Sequence, residues 1–407
     1  CDGFYRMPPK TPPSGAASAP RQGSNMGLHF RASDVPMDDS LRRSLPKASQ
    51  QVWGAISPSG ILDELTVHVG KKDAAPLELD ITARQNDREQ VTSRTLSLRP
   101  SALPYRMDVT GGLVHYDGTQ VTIESINGKH DASSLSADGL CVQDQSGRWQ
   151  LLLNLHSGSR LHPDVELISA LPVQMRTAMR ALQLRGPINL RGQSRFALPD
   201  AAHPDPAIQW DLVLQLEGNR IGDVGPVHSL RGELSVNGIS DELGIRSSGD
   251  VRIDSMHVHD LQITRIVGPF SIEGDRLYLG SQSGDRKIAS EAKQRPSIEG
   301  MIFDGTIRMD GEVILSSGAF DVGLAVADAQ VPTLLADFGQ THNELTGTFS
   351  GRTQLQGSLG TTDLLKGSGE ARLTGANLYQ LPLIVQVLRL LSITPTEDVA
   401  FTDGEVK

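Results

Sequence analysis

In Ile208-Gln-Trp-Asp-Leu-Val-Leu-Gln-Leu216 the apolar residues Ile208, Trp210, Leu212, Leu214 and Leu216 share one side, while Gln209, Asp211 and Gln215 take the other. A period of two is that of an extended strand with one face against apolar material; a helix would space those residues by three and four. Phe320, Val322, Leu324 and Val326 repeat the pattern, as do Trp149, Leu151, Leu153 and Leu155. Leu152 adds an apolar residue on the far side of that last stretch, which predicts a strand partly covered on both faces.

Turn signals follow such stretches at short intervals: Tyr116-Asp-Gly118, Val236-Asn-Gly238, Glu273-Gly-Asp275 and Met309-Asp-Gly311. They predict hairpins and a meandering antiparallel sheet, and the lack of helical patterns between most strands argues against a βαβ parallel sheet. The 41 glycines, 23 prolines and 4% aromatic residues agree with many short strands.

Outward from the strands lies an internal repeat. Met37-Asp-Asp-Ser-Leu-Arg-Arg-Ser-Leu45-Pro46, running through Trp53 and Ile56 to Gly60-Ile-Leu-Asp63, aligns without a gap with Pro163-Asp-Val-Glu-Leu-Ile-Ser-Ala-Leu171-Pro172, running through Met179 and Leu182 to Gly186-Pro-Ile-Asn189. Asp38 and Asp164 suit helix N-caps, each Leu-Pro interrupts the helix, and each glycine stops a second helix before a strand. Trp53 and Ile56, like Met179 and Leu182, fall on one helical face expected to pack on the sheet. A weaker third copy aligns Leu324–Pro332 with Leu28–Pro36 and leads into a helix over Thr333–Phe338. The expected organisation is a lead-in over 1–27 with a Pro/Ser/Ala-rich loop, β repeat units with helical caps over 28–158 and 159–300, and a C-terminal module over 301–407. The fold class is mainly β with short helices: an elongated, twisted antiparallel sheet or groove of repeated strand-and-helix units.

Chemistry is sparse. The formal net charge of −10, with no basic run, argues against nucleic acid and anionic membrane surfaces as partners. Cys1 and Cys141 allow one disulfide at most and no cysteine-based zinc site. His257-Val-His259 puts two imidazoles on one strand face, the start of a metal-dependent hydrolase site, but no supporting ligand motif accompanies it. Gly128-Lys-His130 and Gly280-Ser-Gln-Ser-Gly284 have the wrong spacing for a phosphate loop or a nucleophile elbow. The expectation is no catalytic residue, no metal and no cofactor.

Beginning at Cys1 without methionine and ending in Phe401-Thr-Asp-Gly-Glu-Val-Lys407, the sequence reads as trimmed at both ends, with any export signal or membrane anchor outside it. A lipidated Cys1 is the alternative to a simple boundary. After Pro382, Leu383, Ile384, Val387, Leu388 and Leu391 make a helix apolar on nearly every side, too short to span a bilayer. It reads either as a buried closing helix or as a membrane- or lipid-contacting one.

That region carries a family resemblance. Leu364-Leu-Lys-Gly-Ser-Gly-Glu-Ala-Arg-Leu-Thr-Gly-Ala-Asn-Leu-Tyr-Gln-Leu-Pro382, the apolar helix and Phe401-Thr-Asp403 resemble the C-terminal module of AsmA-like bacterial envelope proteins, well over Gly318–Lys407 and more loosely over the earlier repeats. The resemblance implies a non-enzymatic periplasmic β-groove that moves phospholipid between inner and outer membranes in envelope biogenesis, attached to the inner membrane by a segment outside this chain. The groove candidates facing phospholipid acyl chains are the three alternating runs: Trp149, Leu151, Leu153 and Leu155; Ile208 through Leu216; and Phe320 through Val326. The same strands suit a dry core equally well. One alternative is a scaffold for outer-membrane protein assembly that uses a sheet edge; the other is the hydrolase built on His257 and His259.

Overall fold

A computed structural model describes residues 2–6, 25–45, 47–72, 77–101, 103–171, 173–200, 202–222, 227–280, 297–337, 346–359, 361–375 and 405–406. The Pro-rich stretch 7–20, the polar stretch 281–296, Cys1 and the helix expected after Pro382, with Leu383, Ile384, Val387, Leu388 and Leu391, lie outside the described residues.

The chain is mainly β. In order it forms β1 (Asp2–Arg6), β2 (Asn25–Pro36), α1 (Asp39–Ser44), α2 (Lys47–Ile56), β3 (Ile61–Lys72), β4 (Glu78–Gln85), β5 (Ser97–Leu98), β6 (Met107–Tyr116), β7 (Gln120–His130), β8 (Ser133–Gln143) and β9 (Trp149–Leu161). Then come α3 (Val165–Ala170), α4 (Val173–Leu182), β10 (Leu184–Arg185), β11 (Ile188–Ala197), β12 (Ala207–Ile221), β13 (Val227–Asp241), β14 (Gly244–Val258), β15 (Leu261–Glu273) and β16 (Arg276–Leu279). The last elements are β17 (Ile298–Ile302), β18 (Gly305–Ile314), β19 (Ala319–Gln330), α5 (Val331–Asp337), β20 (Thr348–Ser358), β21 (Thr361–Thr374) and β22 (Glu405–Val406).

Two compact units divide the chain: Cys1–Leu161 with Leu190–Trp210, and His162–Asn189 with Asp211–Lys407. The first is an antiparallel meander in which β1, β2, β3, β4, β6, β7, β8 and β9 pair in that order. In the second, β13, β14 and β15 pair in succession, β15 pairs with both β16 and β17, and both of these pair with β18. β18, β19, β20 and β21 complete the meander.

Short polar turns close the hairpins. Asp117 Oδ1 accepts from the Thr119 and Gln120 backbone N–H groups at 2.9 Å each, holding the turn expected at Tyr116–Gly118. The turn expected at Glu273–Asp275 also forms, with Gly274 at φ 58°. Two expected turns do not. Asn237 and Gly238 pair with Ser248 and Ser247 inside the β13–β14 ladder, and the chain reverses only at Asp241–Gly244. Gly311 likewise stays in β18 opposite Val322, where a Cβ would stand 2.7 Å from the Val322 Cα, so this glycine serves a close strand approach.

The helical caps match the repeat. Asp38 accepts from Ser40 N (2.9 Å) and Leu41 N (3.0 Å), and Asp164 from Leu167 N (2.8 Å), each capping a six-residue helix. The second helices and their stops also correspond, with Gly60 at φ 91° and Gly186 at φ 96°. The third copy is present in a different register. Asp34, Arg160 and Asp328 all sit in the left-handed region just before a cap, at φ 52°, 55° and 55°. Met37 N donates to Gly60 O (2.9 Å) as Val331 N does to Gly347 O (3.1 Å). Asp328, not Gln330, therefore occupies the place of Asp34, because backbone geometry and not the shared Val-Pro sets the correspondence.

A recurring left-handed residue marks the cores. Asp34, Arg160, Ser229, Arg265 and Asp328 have positive φ, and the residue after each (Val35, Leu161, Leu230, Ile266, Ala329) is buried. A left-handed residue breaks the regular alternation of the strand, so the next side chain turns inward, and near Ser229, Arg265 and Asp328 the pairing register shifts as well. In the first unit Val35, Leu62, Leu96 and Val109 make a small core there. In the second a larger core gathers Ile253, Ile266, Ile298, Phe303, Ala329 and Phe349 with Val331, Leu334 and Leu335 of α5. A separate cluster of Leu277, Val313 and Leu315 lies toward the opposite strand ends, packed by Ala181 and Leu182 of α4. Leu182 thus meets the sheet as expected, whereas Ile56, its counterpart, is 37% exposed.

Candidate functional site

The first unit's sheet sorts its side chains into unbroken rows. Phe30, Val67, Ile81, Tyr116, Val121, Cys141 and Leu151 are successive cross-strand partners from β2 to β9. Beside them run Ala32, Leu65, Ala83, Val114, Ile123, Gly139 and Leu153. The row between these two, on the other face, is Arg31, Thr66, Thr82, His115, Thr122, Leu140 and Leu152. Antiparallel pairing puts direct partners on one face, so two wholly apolar rows back onto a largely polar one.

That apolar face is open to a degree unusual for a core. Val67, Ile81, Tyr116, Val121, Ile123, Leu151, Leu153 and Leu155 are all half-buried, and Phe30 is 39% exposed. The buried exception is Cys141, whose thiol burial pushes up to about 11, leaving the row uncharged at neutral pH. Leu152 lies opposite Leu140 on the other face and both are more than a third exposed, so the expected cover on that side is not there.

The second unit repeats the arrangement. Val236, Gly249, Phe270, Leu279, Gly311, Val322, Leu355 and Gly367 form one cross-strand row from β13 to β21. Asn237, Ser248, Ser271, Tyr278, Glu312, Asp321, Gln356 and Lys366 form the adjacent polar row on the opposite face. Phe270 covers the bare backbone of Gly249, its partner across the strands, and Phe320 does the same for Gly357. An aromatic ring over a strand glycine restores the missing contact.

Not all the groove candidates read from the sequence are equally placed. Trp149, Leu151, Leu153 and Leu155 share the open face of the first unit. Ile208 and Trp210 are buried at 8% and 7% exposure, and Leu214 and Leu216 belong to the second unit's large core, while Leu212 is half-buried. Phe320 packs beside α4 and Val326 on the core at α5, leaving Val322 and Leu324 half-buried between the two clusters. Val67, Ile81, Val121 and Ile123 join the site without having been singled out; the alternations in Leu65-Thr-Val-His-Val69, Leu79-Asp-Ile81 and Val121-Thr-Ile123 were their signal.

The histidines do not converge. His257 stacks on His228, its cross-strand partner, with ring centroids 5.2 Å apart and planes 3° from parallel, so their in-plane lone pairs run side by side. His259 sits at φ 54° past the strand end, and His228 Nε2 lies 3.0 Å from its carbonyl oxygen. Among the described residues no group of three or more His, Cys, Asp or Glu is placed to hold a metal ion. No described helix is long and apolar enough to cross a membrane. No family model, curated protein or solved structure matches the chain.

Proposed function

We propose that the apolar sheet faces bind the acyl chains of phospholipids, and that the chain is a periplasmic segment of an AsmA-like protein which carries lipid between the inner and outer membranes and is anchored outside this sequence. One observation carries this reading: a complete apolar row, half-open on every strand from β2 to β9 apart from Cys141, in a sheet whose other face is largely polar. Acyl chains need continuous apolar surface shielded from water, and at about 25 cal/mol per Å² their burial on such rows supplies the driving force. Neither a charge nor a polar gap interrupts the row from Phe30 to Leu151.

A photoreactive amino acid at Leu153 or Val322, incorporated in cells, is expected to capture phospholipid. The same probe at Thr122 or Glu312, on the polar face, is expected to capture none. Equal capture from both faces, or none from Leu153 and Val322, would sink the proposal. Copurification of an outer-membrane assembly protein, with no lipid adduct at either apolar position, would favour the scaffold.

A further inference from the structure

The first unit has a second concavity, lined by polar groups. Ser97 bridges to Ser59 on one side and pairs with Asp108 on the other. Leu96 enters the small core, so Thr95 and Ser97, alternate along the chain, face the other way. There a cavity of about 330 Å³ opens, with Ser59, Ser93, Thr95, Ser97, Arg99 and Arg106 among its walls and no carboxylate lining it. In a chain of net charge −10 this is a local reversal of sign.

Both guanidinium groups are held in position. Arg106 donates to Asp108 Oδ1 from Nε (3.2 Å) and Nη2 (2.9 Å), and Nη2 also reaches Ser97 Oγ at 3.3 Å. Asp108 offsets much of that charge. Arg99 is anchored through Nε to the Pro104 carbonyl at 3.1 Å, and its terminal nitrogens have no hydrogen-bond partner among the described residues. Arg99 is thus the free cation of the cavity, with the hydroxyls of Ser59 and Ser93 exposed at its rim.

We infer that this cavity binds a phosphate group carried on a small organic moiety. The Ser97 hydroxyl is taken up by Asp108 and Thr95 is engaged with Thr92, so the donors left are the Arg99 fork and the hydroxyls of Ser59 and Ser93, a set that matches an oxyanion with three or more acceptor oxygens better than a carboxylate with two. A volume in the roughly 300–1,000 Å³ range of small-molecule sites leaves room beyond the phosphate itself. The phosphate is either a lipid headgroup or part of a soluble ester. The site lies apart from the apolar rows, so its failure would leave the acyl-chain reading standing.

Calorimetric titration of the whole chain with glycerol 3-phosphate and with inorganic phosphate is expected to show saturable binding. Arg99→Gln should weaken it tenfold or more, and Arg99→Lys less, with the melting temperature unchanged. Ser93→Glu, an exposed rim substitution, should abolish binding by like charge and serves if Arg99→Gln fails to fold. Cosedimentation with phosphatidylglycerol vesicles that depends on Arg99 assigns the phosphate to a headgroup; glycerol 3-phosphate binding without cosedimentation assigns it to a soluble ester. The inference is overturned if neither ester nor vesicle binds, or if Arg99→Gln binds as tightly as the parent.

Discussion

α1 and α5 leave the sheet at corresponding points, after Asp34 and Asp328, yet α1 buries none of its residues while α5 buries Val331, Leu334 and Leu335. The sequences explain the contrast: Asp-Ser-Leu-Arg-Arg-Ser in α1 has one apolar side chain to offer, and Val-Pro-Thr-Leu-Leu-Ala-Asp in α5 has several. At the opposite strand ends of the second unit, α4 adds Ala181 and Leu182. The second unit's apolar face is therefore closed at both ends by helices, and the first unit's remains half-open over most of its rows. Similar strands make a closed core or a half-open apolar face according to the helices that cap them.

Substitution on the two faces gives the largest test. Leu335→Ala, at a site 2% exposed, is expected to cost about 2–5 kcal/mol by lost burial and a residual cavity. Leu153→Ala on the half-open face should cost about 1 kcal/mol, since fewer contacts are lost. Urea titration reads both, and because Trp53, Trp149 and Trp210 all lie in the first unit, tryptophan fluorescence separates its transition from the far-UV signal of the whole chain. Equal losses at the two sites would break the comparison.

The caps give a smaller one. Asp164→Ala and Asp38→Ala each remove an N-cap, a loss of about 1 kcal/mol for the helix. The loss at Asp164 should appear in the thermal melt, because α3 buries Ala170 and leads into the α4 that packs the sheet. α1 adds only the half-buried Leu41 to the small core, so Asp38→Ala should move the melt less than Asp164→Ala; the reverse order would mean α1 supports the first unit more than that one contact allows.

Acid gives the mildest. Asp117 and Asp144, in hairpin turns of the first unit, are lowered to about 2, chiefly by the Gln120 backbone N–H and the Ser146 hydroxyl respectively. Asp138 and Asp200, in the same unit, are lowered by the backbone N–H groups of Ser125 and His203. A carboxyl more acidic folded than unfolded stabilises the fold above its unfolded pKa, and that contribution disappears as pH falls through the folded value. Between pH 4 and 2 the tryptophan signal should therefore change before the bulk of the far-UV signal. Simultaneous loss would remove this distinction between the units.

Much of this architecture was legible. Alternation in Ile208–Leu216, Trp149–Leu155 and Phe320–Val326 identified strands with one apolar face, and Asp38, Asp164, Gly60 and Gly186 marked the caps. Those signals are local, set by the two-residue period of a strand and by the hydrogen-bonding needs of a helix end. The left-handed residues were hidden because Asp34, Arg160, Ser229, Arg265 and Asp328 are not glycine, and the turns at Asn237 and Asp310 were misplaced because a glycine within a strand resembles one that ends it.

The sequence by itself determined which side of the three alternating strands is apolar and where α1 and α3 begin. Only the tertiary structure decided that Phe30 and Leu151 stand in one row across seven strands, and that α5 and α4 close the second unit's face while the first unit's stays half-open. Side-chain alternation is a property of one strand. Register and cover belong to pairs of elements distant in sequence, and backbone pairing and packing together select them.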